Sequence, residues 1–449
     1  FTTAAASTDP DTTALHELRK KMERGVSVAR ALEALQRSGF TPDLVCAHSG
    51  WGEAFYVKDV FPQAKLLVYA EYFYQAHGGD SHFDPEFSRP VEGDQRRLHT
   101  KNLHLMHALA HADRGLSPTL FQRDRHPPAL RERIEVIHDG IDTGRFAPDT
   151  QAFISLRNAG IRLTAQDEVV TFAVRELEPY RGYHIFMRAL PEVMAARPDA
   201  QVVIVGGDGV SYGAAPPPGP DGKPQTWRDI FLNEVKGELD VSRLHFVGKV
   251  PYADFLRVLQ VSTVHAYLTY PFVLSWSLLE AMSAGCAIVA SDTAPVREAI
   301  RHGETRQLVD FFDPAALAQR HTATACGHFE RRAGRHARLS GFIEVARCRW
   351  RRSFSSSPRC SPTRRTRSSR SAPKARSSCS RARCVAADDG SPAKRMSRRS
   401  TAAGRSPPSH LACSRRSPPR HCGRRATGSN WPARQRPRPR SSPPGVVRS

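Results

Sequence analysis

Cysteine is scarce in the first 320 residues of this 449-residue chain: only Cys46 and Cys286 occur there, each among apolar neighbours. Two such thiols cannot form a disulfide framework, and they suit a reducing compartment such as the cytoplasm. No run of 18 apolar residues occurs, so no membrane-spanning helix is expected. No secretory leader is visible, and the chain opens on Phe1 rather than methionine, so an upstream segment is expected. The same 320 residues contain no HExxH, paired CxxC, P-loop or GxSxG. Zinc hydrolysis, P-loop nucleotide hydrolysis and serine hydrolysis therefore lack their machinery. The last stretch, 321–449, is poor in acids, with 4 against 32 Lys and Arg, whereas the first 320 residues hold 40 acids and 34 bases. All of the net +22 therefore comes from that stretch, which also holds seven of the nine cysteines.

Residues 321–449 also lack hydrophobic periodicity, and runs such as RQRPRPRSSPP cannot bury enough surface to fold. A disordered basic tail is expected. Two origins fit it. One is a genuine tail that binds nucleic acid. The other is a frame slip in GC-rich coding sequence, which yields Arg, Ser, Pro and Ala without selection. The missing aromatic interleaving and regular repeat favour the slip.

The body is organised around 271–292, PFVLSWSLLEAMSAGCAIVASD. Leu274, Leu278 and Met282 recur at helical spacing, Gly285 stops the helix, and a short apolar run predicts a strand buried on both faces. Glu280 is the one carboxylate in that helix and needs a partner, either an internal Arg or Lys or a ligand.

Upstream, a helix is predicted over 12–38, with Leu15, Leu18, Met22, Val26, Ala29 and Leu32 on its apolar face. Strands are predicted over 43–47, 65–70, 114–117 and 133–137, helices over 53–60 and 92–112, and a loop over 71–89. A connection at 138–152 leads to regular alternation: strands 169–174, 202–206, 244–247, 264–268 and 286–290, with helices 183–196, 226–239, 252–260 and 295–301. Residues 211–225 are Pro/Gly-rich and read as a loop. This pattern gives an α/β chain of two doubly wound, Rossmann-like domains, 1–145 and 146–320, followed by the tail 321–449. A ligand is expected at the carboxyl ends of the strands, in the cleft between the domains.

Four places can carry chemistry there. Arg175 and Arg181 follow a strand in VRELEPYRGYH, where guanidiniums can grip phosphate, or simply lie exposed. The glycines Gly206, Gly207 and Gly209 allow close backbone approach, although the dinucleotide fingerprint is incomplete and a plain turn fits better. Glu280 can accept hydrogen bonds from vicinal sugar hydroxyls, while the helix start near Leu274 and Ser275 faces phosphate. His48, in CAHSGWGE at a strand end, can touch a ligand or stabilise its own turn.

Taken together, IHDGID, RELEPYRG, VVIVGGDG, LHFVGKVPYADFLRVLQVSTVHAYLTYPF, SLLEAMSAGCAIVASDTAPVREAI and GETRQLVDFFDP resemble family 4 glycosyltransferases over about 40–319. The resemblance implies the GT-B fold and retaining transfer of a sugar from a nucleotide sugar to a glycan or lipid-linked acceptor, as in polysaccharide assembly. It implies no metal and no cofactor, and a cytoplasmic enzyme, in some cases peripheral on the inner face of the membrane. By the resemblance, Arg175 and Arg181 grip the donor diphosphate, with Arg181 where lysine is commoner. Gly207, Leu274 and Ser275 border the donor, Glu280 holds the ribose and His48 faces the donor sugar. Three departures stand out. Phe272 replaces the first acid of the E-x7-E motif. The opening strand with its glycine loop, and the closing helices, are expected to be missing. Two alternatives are a non-catalytic basic protein binding nucleic acid through its tail, and an inactive remnant.

Overall fold

The computed structural model describes residues 10–156, 159–300 and 306–331, all within one compact unit. The first sheet is parallel and runs β1 (Leu44–His48), β2 (Lys65–Tyr69), β3 (Arg114–Ser117), β4 (Ile134–Val136). Alternation in β2 buries Leu66 and Val68, and the helix α3 (Asp94–His111) covers them with Ala108 and Leu109. Shorter helices complete the crossovers: α2 (Val57–Val60), α4 (Leu120–Asp124) and α5 (Pro128–Arg131).

The leading helix α1 (Pro10–Arg37) forms as predicted, but its face differs. Leu15, Met22 and Val26 stand in solvent at 59%, 44% and 38% exposure. Ala14 and Gly25 are buried instead, with Leu18 and Lys21 partly so. Helical period located the helix; its rotation was set by what α1 meets, since Gly25 lets the backbone of Gly52 and the Phe55 side chain come close.

A hairpin of β5 (Phe153–Leu156) and β6 (Ile161–Thr164) follows the connection and was not expected from the sequence. The second sheet is parallel, in the order β12 (Arg306–Val309), β11 (Ala287–Ser291), β10 (Val264–Tyr267), β7 (Val169–Glu176), β8 (Gln201–Gly207), β9 (Leu244–Gly248). The chain builds outward from β7 on one side and from β10 on the other. The switch point therefore lies between β7 and β10. Every residue of β10 and β11 is buried, which explains their continuous apolar runs. The covering helices are α6 (Tyr183–Ala196), α7 (Trp227–Val235), α8 (Tyr252–Val261), α9 (Trp276–Ser283) and α10 (Ala294–Ala299). In this layer Phe172 of β7 stacks on Phe186 of α6, centroids 4.6 Å apart.

The expected boundary at 320 is corrected by α11 (Pro314–Arg331), which runs eleven residues past it. Leu317, His321 and Ala325, at spacing four, are buried. Charge counting placed the boundary too early, because the first basic residue of the tail is Arg331. The remainder of the expected tail lies outside the described residues.

Candidate functional site

Beyond β7 the chain makes one 3-10 turn, Pro179–Arg181, before α6. Gly182 joins the two with φ 70°, and a Cβ there would sit 2.4 Å from Cβ of Leu268. Only glycine lets this turn press on the strand end. Gly182→Ala is expected to lower stability by at least ~2 kcal/mol, read from the urea midpoint, because left-handed strain and a clash combine.

That turn delivers Arg181, which is buried at the switch point. Its Nη1 donates to Oγ1 of Thr269 at 2.8 Å, and its guanidinium lies 4.9 Å from the centre of the Tyr212 ring. Tyr212 is positioned by Glu178, whose Oε2 accepts from the backbone N–H groups of Ser211 (3.2 Å), Tyr212 (3.2 Å) and Gly213 (3.0 Å). The 211–225 loop is thus tied beneath Arg181. Arg175, five residues past Val170 in β7, is exposed and forms no ion pair with a described residue. One arginine of the expected pair is fixed and the other extends into solvent.

At the end of β8, a Cβ on Gly207 would fall 2.4 Å from both Oε2 of Glu176 and Cε of Lys249. Glu176 is buried, pairs with the Lys249 ammonium and accepts from the Gly209 N–H at 2.9 Å. The close approach read from the glycine run therefore has a cause inside the protein as well.

Glu280 is buried in α9, and its partner is neither Arg nor Lys. The hydroxyl of Tyr252, at the start of α8, donates to Oε1. Burial pushes the carboxyl above its usual range, while the Tyr252 hydrogen bond and the charge of Arg145 work against that. Arg145 itself lies 4.6 Å over the Tyr252 ring.

Ser275 caps α9. The Leu274 N–H reaches Oε1 of Gln122 in the first domain at 3.4 Å, and the Ser275 N–H donates to the Tyr267 hydroxyl at 3.1 Å. The amides expected to face phosphate hold side-chain acceptors here. Phe272, at the position of the missing acid, is buried against Tyr72 (4.5 Å), Tyr180 (5.4 Å) and Tyr212 (5.4 Å).

His48 ends β1, half-buried across the cleft. Its Nδ1 accepts from the Gly50 N–H at 2.9 Å, Nε2 faces Oε2 of Glu71 at 3.4 Å, and its ring lies 5.4 Å from that of Tyr69. The turn-stabilising contact forms, and the second ring nitrogen is directed at Glu71.

Two family models divide the chain between them: "Glycosyl transferase family 4 group" matches 1–146, and "Glycosyl transferases group 1" matches 167–324. The chain belongs to the family 4 glycosyltransferases. Its two facing parallel sheets are the GT-B arrangement. D-inositol 3-phosphate glycosyltransferase from Corynebacterium efficiens is 30% identical over 198 residues, covering 43% of each chain. The protein of the same name from Streptomyces avermitilis is 26% identical over 272 residues, 57% of this chain and 54% of its own. The chain thus spans about half the length of these curated relatives. The structure of Anabaena Alr3699/HepE in complex with UDP is 16% identical with a TM-score of 0.45, covering 72% of this chain and 82% of that one.

The segment between β2 and α3 leaves the first domain and fastens onto the second. Asp80 accepts from the hydroxyls of Tyr72 (3.1 Å) and Tyr180 (2.9 Å). Buried Asp84 accepts from the Tyr270 hydroxyl (2.9 Å) and pairs with Nε2 of His184 (3.1 Å). Glu86 takes both Nη atoms of Arg188, at 2.8 and 2.7 Å. Asp84, Glu86 and His184 could together approach a metal ion, but Tyr270 and Arg188 already satisfy the two carboxylates. Sequence reasoning missed Thr269, Tyr212, Glu178, Tyr252 and this strap. The available signals were the second acid of RELEPYRG and the acids spaced through 80–86.

Proposed function

We propose that the chain is a retaining glycosyltransferase moving a sugar from a nucleotide-sugar donor to a glycan or lipid-linked acceptor. Buried Arg181 beside the switch point between β7 and β10 carries this reading, and the Gly207 turn after β8 and buried Glu280 in α9 support it. Nucleotides bind doubly wound sheets at such a point. Arg175 and Arg181 would balance charge building on the departing diphosphate, aided by the Leu274 and Ser275 amides once they exchange Gln122 and Tyr267 for phosphate oxygen. These groups supply the charge without a metal or cofactor. Tyr252 engages one oxygen of Glu280 and orients the carboxylate toward the ribose hydroxyls. His48 faces the donor sugar from the first domain. A dedicated carboxylate pair is not part of this scheme; the acceptor attacks on the face the diphosphate leaves.

Phe272 makes the sugar half of the cleft apolar, so nucleotide contacts carry most of the donor affinity. No helix among the described residues is long and apolar enough to cross a membrane. A cytoplasmic enzyme, peripheral at the membrane when its acceptor is lipid-linked, fits the scheme.

The test is calorimetric titration of UDP and GDP. Glu280→Ala and Arg175→Ala are each expected to weaken binding roughly tenfold or more, about 1.4 kcal/mol. Affinity unchanged in both variants would sink the site assignment.

A further inference from the structure

A cavity of about 90 Å³ opens at the carboxyl edge of the first sheet, beside His48. Lys21 of α1 and Lys101 of α3 both line it. The Lys101 ammonium lies 3.6 Å from the centre of the Tyr74 ring, and that of Lys21 lies 4.7 Å from the Trp51 ring. Neither ammonium forms an ion pair or hydrogen bond with a described residue. Of the two carboxylates on the lining, Glu71 turns to His48 and Glu17 is exposed. Burial pushes both lysines below their usual pKa.

Two features show that these lysines are placed. First, α1 leaves Leu15, Met22 and Val26 in solvent while turning Lys21 inward. An amphipathic helix ordinarily does the reverse. Second, buried Asn102 accepts from the Tyr74 N–H (3.1 Å) and donates to the Tyr74 carbonyl (2.8 Å), which fixes the ring under Lys101. His104, held down to about 4 first by burial and then by the charge of Lys21, stays neutral and bonds the Gly50 carbonyl at 3.1 Å. Glu17, Glu53 and Asp80 act on these lysines only through longer-range charge, and partly desolvated cations with no ion-paired carboxylate among the described residues call for an anion.

We infer that this cavity is an oxyanion subsite in which Lys21 and Lys101 hold a phosphate or carboxylate carried by the acceptor. The word acceptor rests on the glycosyltransferase reading; the anion subsite itself does not.

Inorganic phosphate is titrated into the full chain saturated with UDP, which keeps phosphate away from Arg175 and Arg181. A parallel series replaces UDP with Arg181→Met. Saturable binding is expected, weakened roughly tenfold or more in Lys21→Met and Lys101→Met and largely restored in Lys101→Arg. UDP affinity should be unchanged in all three variants, which also reports on folding. Phosphate binding that UDP abolishes, or that both methionine variants retain, overturns the subsite. Lysine-dependent phosphate binding without any UDP binding supports the subsite and sinks the glycosyltransferase reading. UDP binding without phosphate binding does the opposite. Competition by glucose 6-phosphate, glucuronate and glucose then distinguishes the sources. Displacement by one of the two acids identifies the acceptor's oxyanion, and displacement no better than glucose's by either counts against an acceptor group.

Discussion

Arg181→Met is expected to weaken UDP or GDP binding by roughly a hundredfold, whereas Arg181→Lys should stay within about tenfold of the parent. Arg181 is fixed from two sides, by Thr269 and by the Tyr212 face, so little side-chain entropy remains to be lost on binding. Two charge-assisted hydrogen bonds to a diphosphate at about 1.5 kcal/mol each give about 3 kcal/mol, or two decades in affinity. Lysine restores the charge but not the fork. It can donate to Thr269 or to a phosphate, but it cannot lie flat on Tyr212. Methionine keeps the apolar stem and so limits the packing loss. Titration calorimetry measures the affinities, and the nucleotide-dependent rise in melting temperature checks them independently. Equal losses in the two variants would mean that Arg181 acts through shape alone.

The architecture was legible because parallel strands buried on both faces leave unmistakable apolar runs, as in 264–268 and 286–290. The helices between them carry their own period, and α6 matches its predicted span of 183–196. Where a short element borrows stability from a partner, sequence gave little. The β5–β6 hairpin has four-residue strands, and the interrupted helical turns around α2 settle to Val57–Val60. The rotation of α1 was hidden for a similar reason, since a glycine contact outweighs three exposed apolar residues. In the candidate site, the residues tied to a motif could be named from sequence: Arg175, Arg181, Gly207 and Glu280. The groups that position them lie far away in sequence. Tyr252 is 28 residues from Glu280, and Thr269 is 88 from Arg181. No local spacing rule reaches that distance. Charge pattern also misjudged the tail, because α11 continues past 320 with His321 and Ala325 buried before the basic residues begin at Arg331.

Asp84→Leu is expected to lower stability at pH 7 by about 3 kcal/mol, because it removes one partner of a buried pair and strands the other. Asp84 and His184 are both almost fully buried, and they belong to different domains. Burial works to raise the Asp84 carboxyl, but hydrogen bonds from His184 and Tyr270, with the imidazole's charge, hold it below its ordinary value. A carboxyl depressed in the folded state contributes stability above its unfolded pKa, about 3.9. That contribution disappears as pH falls through the folded value. Parent and variant should therefore differ most near neutrality and converge in acid, as read from urea midpoints across pH. Asp84→Leu combined with His184→Leu should recover part of the loss, since it removes the stranded imidazole. The consequence reaches the cleft. Asp84 grips Tyr270, whose ring lies 4.8 Å from Tyr180, one residue before Arg181. Releasing the strap is expected to raise the donor KM more than it lowers kcat, because it loosens the turn that presents Arg181 without touching the reacting atoms. A destabilisation below about 1 kcal/mol, or one that persists undiminished in acid, would show that the domains are held by the aromatic contacts of Phe83 and Phe87 instead.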